Sequence, residues 1–242
     1  MSQFTKEVEL LKNLIDNSKN IVFFGGAGVS TESNIPDFRS VDGLYNQKYR
    51  YSPEIILSHT FFVNNPQEFF RFYFDKMIYT DAKPNAAHIG LYKLEKEGKL
   101  KAIVTQNIDG LHQMAGSKRV HELHGSVLRN YCERCGKFHS LNDLLQFAPN
   151  VPICSCGGII KPDVVLYEEE LNGKTIKDSL AAISECDLLI IGGTSLNVYP
   201  AASFVSYANG KTVIINKSTT AYDSRAELVV NQPIGEVFSK IC

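Results

Sequence analysis

Four short apolar runs, each closing on glycines or on amide and hydroxyl side chains, constrain the fold of this chain more than any other feature. Asn20-Ile21-Val22-Phe23-Phe24 runs into Gly25-Gly26-Ala27-Gly28, and Lys101-Ala102-Ile103-Val104-Thr105 runs into Gln106-Asn107. Asp187-Leu188-Leu189-Ile190-Ile191 runs into Gly192-Gly193, and Thr212-Val213-Ile214-Ile215-Asn216 into Lys217-Ser218. Glu227-Leu228-Val229-Val230 reads as a fifth strand. Unbroken apolarity, rather than alternation, marks strands covered on both faces. Helical patterns lie between the runs. Val8, Leu11, Leu14 and Ile15 space Gln3 to Asn17 as an amphipathic helix. Asn85 caps a helix running to Glu97 and stopped by Gly98; Asp109 to Ala115 closes on Gly116, and Pro200 to Ala208 near Gly210. The alternation predicts an α/β fold whose functional residues sit in loops at the carboxyl ends of parallel strands. Two regions break it: 41–83, rich in aromatics, and 130–160, which holds most of the cysteines. Both read as inserts building a smaller domain beside a main domain of 1–40, 84–129 and 161–242.

The cysteines carry the most specific spacing. Cys132-x2-Cys135 is followed after an 18-residue gap by Cys154-x-Cys156. Four thiolates so arranged can close a tetrahedron around Zn²⁺, and a site filled by four protein ligands has no open position for water, so the metal would be structural. The second half is tighter than the usual Cys-x2-Cys. Cys186 and Cys242 receive no role. The formal charge is −1, without a basic footprint or a charged tail, which argues against nucleic acid as a partner. Charges interrupt the first twenty residues, so they do not read as a signal peptide, and no apolar stretch reaches membrane-spanning length. A cytoplasmic protein, monomeric by default, is expected.

Each polar cluster at a strand end admits two readings. Gly26-Ala27-Gly28 can bring backbone N–H groups close to a diphosphate, or simply make a tight turn. Thr31 stands where a third glycine is usual, and no acidic residue closes the second strand to hold a ribose. Gln106, Asn107 and Asp109 can address a ribose and an amide, or cap the next helix. Thr194 and Ser195 can meet phosphate or ribose, or cap a helix; Asn216 can bind ribose hydroxyls, or form a turn. His121 and His124 are three apart and in a strand would face opposite sides, a poor metal pair. His124, beside Gly125, is the candidate for an accessible imidazole base.

Taken in order, these segments resemble the sirtuin family. The likeness runs through Gly26-Ala27-Gly28-Val29-Ser30, Ile35-Pro36-Asp37-Phe38-Arg39, Thr105-Gln106-Asn107-Ile108-Asp109-Gly110-Leu111-His112 and Leu123-His124-Gly125-Ser126. It continues through the cysteine pairs, Lys161-Pro162-Asp163-Val164-Val165, Gly193-Thr194-Ser195-Leu196 and Ile215-Asn216, so it spans nearly the whole chain. The resemblance implies a Rossmann-like doubly wound parallel sheet with a smaller zinc-binding and helical domain, the compact bacterial form of the family. It implies that NAD, as a consumed co-substrate, and an acetyl-lysine protein or peptide enter the cleft between the two. By that analogy Ala27, Thr31, Phe38, Arg39, Gln106, Ile108, Asp109 and His124 line the NAD site, with Thr194, Ser195, Asn216 and Ile234 on the adenosine half. Asn107 and His124 would be catalytic, and Val164 and Val165 would pair with the substrate peptide by strand addition.

The implied reaction breaks the bond between nicotinamide and ribose instead of moving a hydride. The acetyl oxygen traps the ribose carbon, His124 draws a proton through the ribose hydroxyls, and water completes the transfer. Products are nicotinamide, free lysine and O-acetyl-ADP-ribose, with Phe38 shielding the ribose face. Three departures from the family pattern stand out. Asn34 replaces a glycine, and Asn tolerates left-handed backbone. Tyr167-Glu168-Glu169 replaces aromatic-Gly-Glu in the peptide loop. Tyr73 and Lys76 lie where desuccinylating relatives carry Tyr and Arg; a lysine lacks the bidentate fork, which favours acetyl and other uncharged acyl groups. Mono-ADP-ribosyl transfer from the same cleft and a non-enzymatic NAD-binding module are the alternatives.

Overall fold

Six parallel strands form the central sheet of the computed structural model, which describes residues 2–37, 43 and 50–241. In chain order the strands are β1 (Ile21–Gly25), β2 (Leu100–Thr105), β3 (Val120–Glu122), β4 (Gly125–Cys132), β5 (Phe138–Ser140), β6 (Ile160–Val164), β7 (Leu188–Gly192), β8 (Lys211–Ile215) and β9 (Leu228–Val230). The helices are α1 (Gln3–Asp16), α2 (Pro53–Ile56), α3 (His59–Asn64), α4 (Pro66–Lys76), α5 (Ala86–Lys96), α6 (Leu111–Ala115), α7 (Leu141–Leu145), α8 (Gly173–Glu185) and α9 (Ile234–Ile241). The large sheet runs β3-β2-β1-β7-β8-β9. Counted among themselves, these six strands stand third, second, first, fourth, fifth, sixth, the doubly wound order of dinucleotide-binding sheets. The order reverses between β1 and β7, so their carboxyl ends open a crevice.

The apolar runs are buried because both sheet faces are covered. Phe23, Ile103, Ile190 and Val213 pack on one side with Leu11 of α1, Leu91 of α5 and Phe238 of α9. Val22, Phe24, Leu189, Ile191 and Ile214 pack on the other with Ile183 of α8 and Phe204 and Val205. Neighbouring residues of one strand thus serve opposite faces, the two-residue period of extended chain.

The segment expected as a helix from Pro200 is a 3₁₀ helix, Ala201–Tyr207. Ser203 donates its hydroxyl to the Pro200 carbonyl (2.7 Å) and Ser206 to that of Ser203 (2.6 Å), so side chains compete for the carbonyls an α-helix would use. The short helix after β2 starts at Leu111, two residues later than expected, because Gly110 is left-handed (φ 74°). The edge strand β3 and the helices α8 and α9 were not among the elements expected.

The second sheet is antiparallel, β5-β4-β6. It reaches past the expected 130–160 insert in both directions, with Gly125 opposite Val164. Its core is shared with the helices of the 41–83 region: Phe61, Phe62, Phe69, Phe70 and Tyr73 are buried with Leu144, Ile160 and Val164. Phe62 and Phe70 each meet Phe69 edge-on, with ring centroids 5.0 and 5.2 Å apart, a favoured aromatic geometry. Tyr73 belongs to this core, stacked on Phe69, and does not line the cleft described below; Lys76 does.

Candidate functional site

The two glycine turns at the switch point pack backbone on backbone. Gly28 donates its N–H to the Gly193 carbonyl at 2.8 Å. A Cβ on Gly28 would lie 2.8 Å from both the Cα and the carbonyl oxygen of Gly193, so neither side chain nor backbone leaves room for one. Gly193 itself has φ 58°, the left-handed region that glycine adopts without strain. The loops after β1 and β7 are therefore held together at the crevice, and the chain after β1 curls into 3₁₀ turns over Ala27–Val29 and Thr31–Ser33. Asn34 ends the second turn at φ 63°, the left-handed role expected of it.

A cleft of about 1170 Å³ opens over these loops, between the large sheet and the smaller one. Ala27, Thr31, Gln106, Asn107, Ile108, Asp109, His124, Thr194, Ser195, Asn216 and Ile234 all line it, and so do Val164 and Val165. Phe38 and Arg39 lie outside the described residues. Residues scattered over two hundred positions of sequence thus face one cavity.

Behind the lining, hydrogen bonds fix the polar groups. The Ser30 hydroxyl donates to Asp109 Oδ2 (2.6 Å) and accepts from Asn107 Nδ2 (3.0 Å), while Asp109 Oδ1 accepts from the Leu111 N–H (2.9 Å). Asp109 therefore accepts the first N–H of α6 and also lines the cleft. Gln106 donates through Nε2 to Thr194 Oγ1 (3.3 Å), tying the loop after β2 to the loop after β7. Thr194 Oγ1 also accepts from the Leu196 N–H (3.2 Å), and Asn216 donates Nδ2 to the Ser218 carbonyl (2.8 Å), so these two residues also shape their own turns. Ser30 is 1% exposed, and only its two partners, 77 and 79 residues away, bring it into the site.

His124 follows β3 at the seam of the two sheets. Its Nδ1 lies 3.0 Å from the Gln106 carbonyl oxygen. A carbonyl only accepts, so Nδ1 carries the proton and the neutral ring keeps its free lone pair on Nε2. Burial holds the His124 pKa below 6.5, opposed by the bond to Gln106, and the ring is neutral at pH 7. Such an imidazole is ready to accept a proton. Beneath the site two further histidines, His88 and His112, lie ring to ring at 4.7 Å, buried and pushed down to about 4 and about 3 by desolvation.

At the far side of the small sheet the four cysteine sulfurs lie within 4.8 Å of one another. Cys132 and Cys156 are 3.4 Å apart, and Cys135 and Cys154 3.8 Å. Ligands about 2.3 Å from a tetrahedral zinc stand about 3.8 Å apart, so the donor set fits. This is the only such group among the described residues, and none of its four cysteines lines the cleft.

Fold and site together define a doubly wound dinucleotide-binding protein with a metal-knuckle module beside its crevice. Residues 26–200 match the model of the Sir2 family. The chain belongs to that family. It is 59% identical to an NAD-dependent protein deacetylase of Clostridium acetobutylicum over 97% of this chain and 98% of the relative. It is 60% identical to that of Clostridium perfringens, over 97% and 98%. Among solved structures it resembles a Sir2 variant with a deacetylated peptide and 3′-O-acetyl ADP ribose (TM-score 0.88, 38% identity, 97% of this chain and 96% of that one). It also resembles a Sir2 complex with peptide and NAD⁺ (TM-score 0.85, 39% identity, 96% and 95%).

Proposed function

We propose that this protein is an NAD-dependent protein-lysine deacetylase that consumes NAD and releases nicotinamide, the free lysine and O-acetyl-ADP-ribose. The observation that carries the reading is that every described residue expected on sequence grounds to meet NAD or peptide lines the same cleft. The relatives' activity and the peptide, NAD⁺ and acetyl ADP ribose held by the similar structures support it.

In this reading the six-stranded sheet holds NAD and the smaller module frames the peptide side. The loops carrying Ala27, Thr31, Thr194 and Asn216 receive the dinucleotide. Asp109, anchored by Ser30, faces the nicotinamide carboxamide with Asn107 beside it. His124 accepts the proton from the ribose hydroxyls through Nε2, its ring aimed by the Gln106 carbonyl. Cys132, Cys135, Cys154 and Cys156 hold Zn²⁺, which closes the knuckle and takes no part in the chemistry. The acyl preference is for acetyl and other uncharged groups. The enzyme works as a monomer in the cytoplasm without nucleic acid. The charge of −1 supports the lack of a nucleic-acid partner, and among the described residues no helix is long and apolar enough to cross a membrane.

The test is incubation of an acetyl-lysine peptide with NAD, reading nicotinamide and peptide mass together. Peptide-dependent nicotinamide release with loss of the acetyl group is expected, and His124→Ala removes it while NAD still binds. Label from NAD appearing on protein, or nicotinamide release independent of peptide, refutes the deacetylase reading.

A further inference from the structure

The segment that follows β6 lines the cleft on its peptide side, and its conformation is set by side chains that carry no role so far. Val165 donates its N–H to the His124 carbonyl (3.0 Å), so this segment is joined directly to the residue proposed as the base. Beyond it, one carboxylate gathers three partners. Glu169 Oε2 accepts from the Leu166 N–H (2.9 Å) and from Lys161 Nζ (3.1 Å), and Glu169 Oε1 pairs with His59 Nδ1 (2.8 Å). Lys161 Nζ also donates to the Val164 carbonyl at 3.1 Å. The Lys161 and Glu169 side chains are only 13% and 19% exposed, so water replaces these bonds poorly.

The same stretch is tied to the α2–α3 corner. Tyr167 donates to the Leu57 carbonyl (2.9 Å), and His59 donates its N–H to the Tyr167 carbonyl (3.0 Å). The Glu168 carboxylate accepts the Thr60 N–H (2.8 Å) at the start of α3, where an anion suits the unpaired amides of the helix end. Glu168 holds φ 76°, a left-handed conformation costly for a side-chain-bearing residue, with its carboxylate held by the Thr60 bond. Surface ion pairs contribute little on their own, and charged side chains also protect sheet edges from adding strands. Neither account requires one carboxylate to bind a backbone amide of the cleft wall, the strand leading to it and a histidine from another element.

We propose that Glu169 is a positioning residue for the acyl-peptide: through Leu166, Lys161 and His59 it fixes the 164–169 segment in the shape that receives the substrate. The proposal rests on the deacetylase reading and deepens it by assigning the peptide site a support. Glu169→Gln keeps the size of the side chain and an acceptor for Leu166 but removes the charge that Lys161 and His59 meet. We expect its KM for an acetyl-peptide, at saturating NAD, to rise roughly tenfold, the size of one charge-assisted hydrogen bond lost from a preorganised wall. Its kcat and its KM for NAD stay within about twofold, because the nucleotide loops share no bond with Glu169. His59→Ala, cut from the half-exposed side of the network, shifts the peptide KM in the same direction, and it carries the test should Glu169→Gln not fold.

Direct binding of a fluorescent acetyl-peptide, read by anisotropy, separates the two claims. Wild-type protein that binds peptide and releases nicotinamide while both variants bind peptide equally well overturns the positioning role and leaves the deacetylase reading intact. Wild-type protein that binds peptide without turnover refutes the deacetylase reading, and weaker binding by the variants then still supports the positioning role. Equal rises in the KM values for NAD and peptide make Glu169 merely structural and overturn the proposal.

Discussion

Replacing His112 with phenylalanine should make this protein more resistant to acid without weakening it at neutral pH. His112 is 1% exposed, and neither ring nitrogen has a hydrogen-bond partner, so the ring acts as an apolar filler beside Phe23 (centroids 6.0 Å) and His88. Desolvation first, and then the neighbouring His88, push its pKa from 6.5 to about 3. Below pH 6.5 the unfolded chain takes up a proton that the folded protein refuses, so acid favours unfolding, and the loss of stability accumulates between pH 6.5 and 3. At pH 5 that loss is about 1.5 pH units at 1.36 kcal/mol each, or about 2 kcal/mol. His88, pushed down to about 4 by burial, adds a loss of similar size. Together they remove about 4 kcal/mol, a large part of a typical domain's stability. Phenylalanine forfeits no hydrogen bond at position 112 and relieves the buried imidazole N–H, worth about 1 kcal/mol or more. Urea unfolding at pH 7.5 and at pH 5.0 measures both terms. The difference in stability between the two pH values should shrink by about 2 kcal/mol in His112→Phe. An unchanged difference, or a neutral-pH loss above about 2 kcal/mol, refutes the reasoning.

Four further outcomes follow from the same geometry. Ser30→Ala strands Asn107 Nδ2 and removes the hydroxyl from Asp109, so kcat/KM with acetyl-peptide and NAD should fall by about 2 kcal/mol, roughly thirtyfold, and the melting temperature should fall by a few degrees as a buried donor loses its partner. Gly28→Ala forces the two glycine loops apart, and NAD binding by calorimetry should be lost before the fold is. Cys154→Ala, or stripping with a strong chelator, should release one equivalent of zinc by metal analysis and loosen β4–β6 in hydrogen exchange, with activity lost as the cleft wall softens. Activity should also fall on the acid side, but at a pH below that at which an ordinary histidine titrates, since burial lowers the His124 pKa and only a protonated ring cannot take a proton.

Much of this is legible in the sequence. The apolar runs ending at Phe24, Thr105, Ile191 and Asn216 sit in β1, β2, β7 and β8 within a residue or two, because strands buried on both faces admit little but Val, Ile, Leu and Phe. The cysteine spacing foretold the four-sulfur cluster, since two close pairs of thiols supply the four ligands a tetrahedral zinc takes. Elements with mixed surfaces were harder to read. β3 is a three-residue edge strand of half-buried side chains and leaves no clear period in the sequence, whereas α8 carries Ile176, Leu180 and Ile183 at helical spacing and was legible there.

What the sequence determined by itself was the set of strands, the glycine turns that must follow them and the metal-ligand pairs, each marked by residue types at fixed short spacings. What only the tertiary structure decided was partnership. Ser30 with Asp109, Gln106 with Thr194, Glu32 accepting the Gly235 N–H at the start of α9, and Glu169 with both His59 and Lys161 join residues separated by up to 203 positions. A side chain's hydrogen-bonding capacity is written in its residue type. The partner that satisfies it depends on which strand ends the winding of the sheet brings together, and no local pattern encodes that distance.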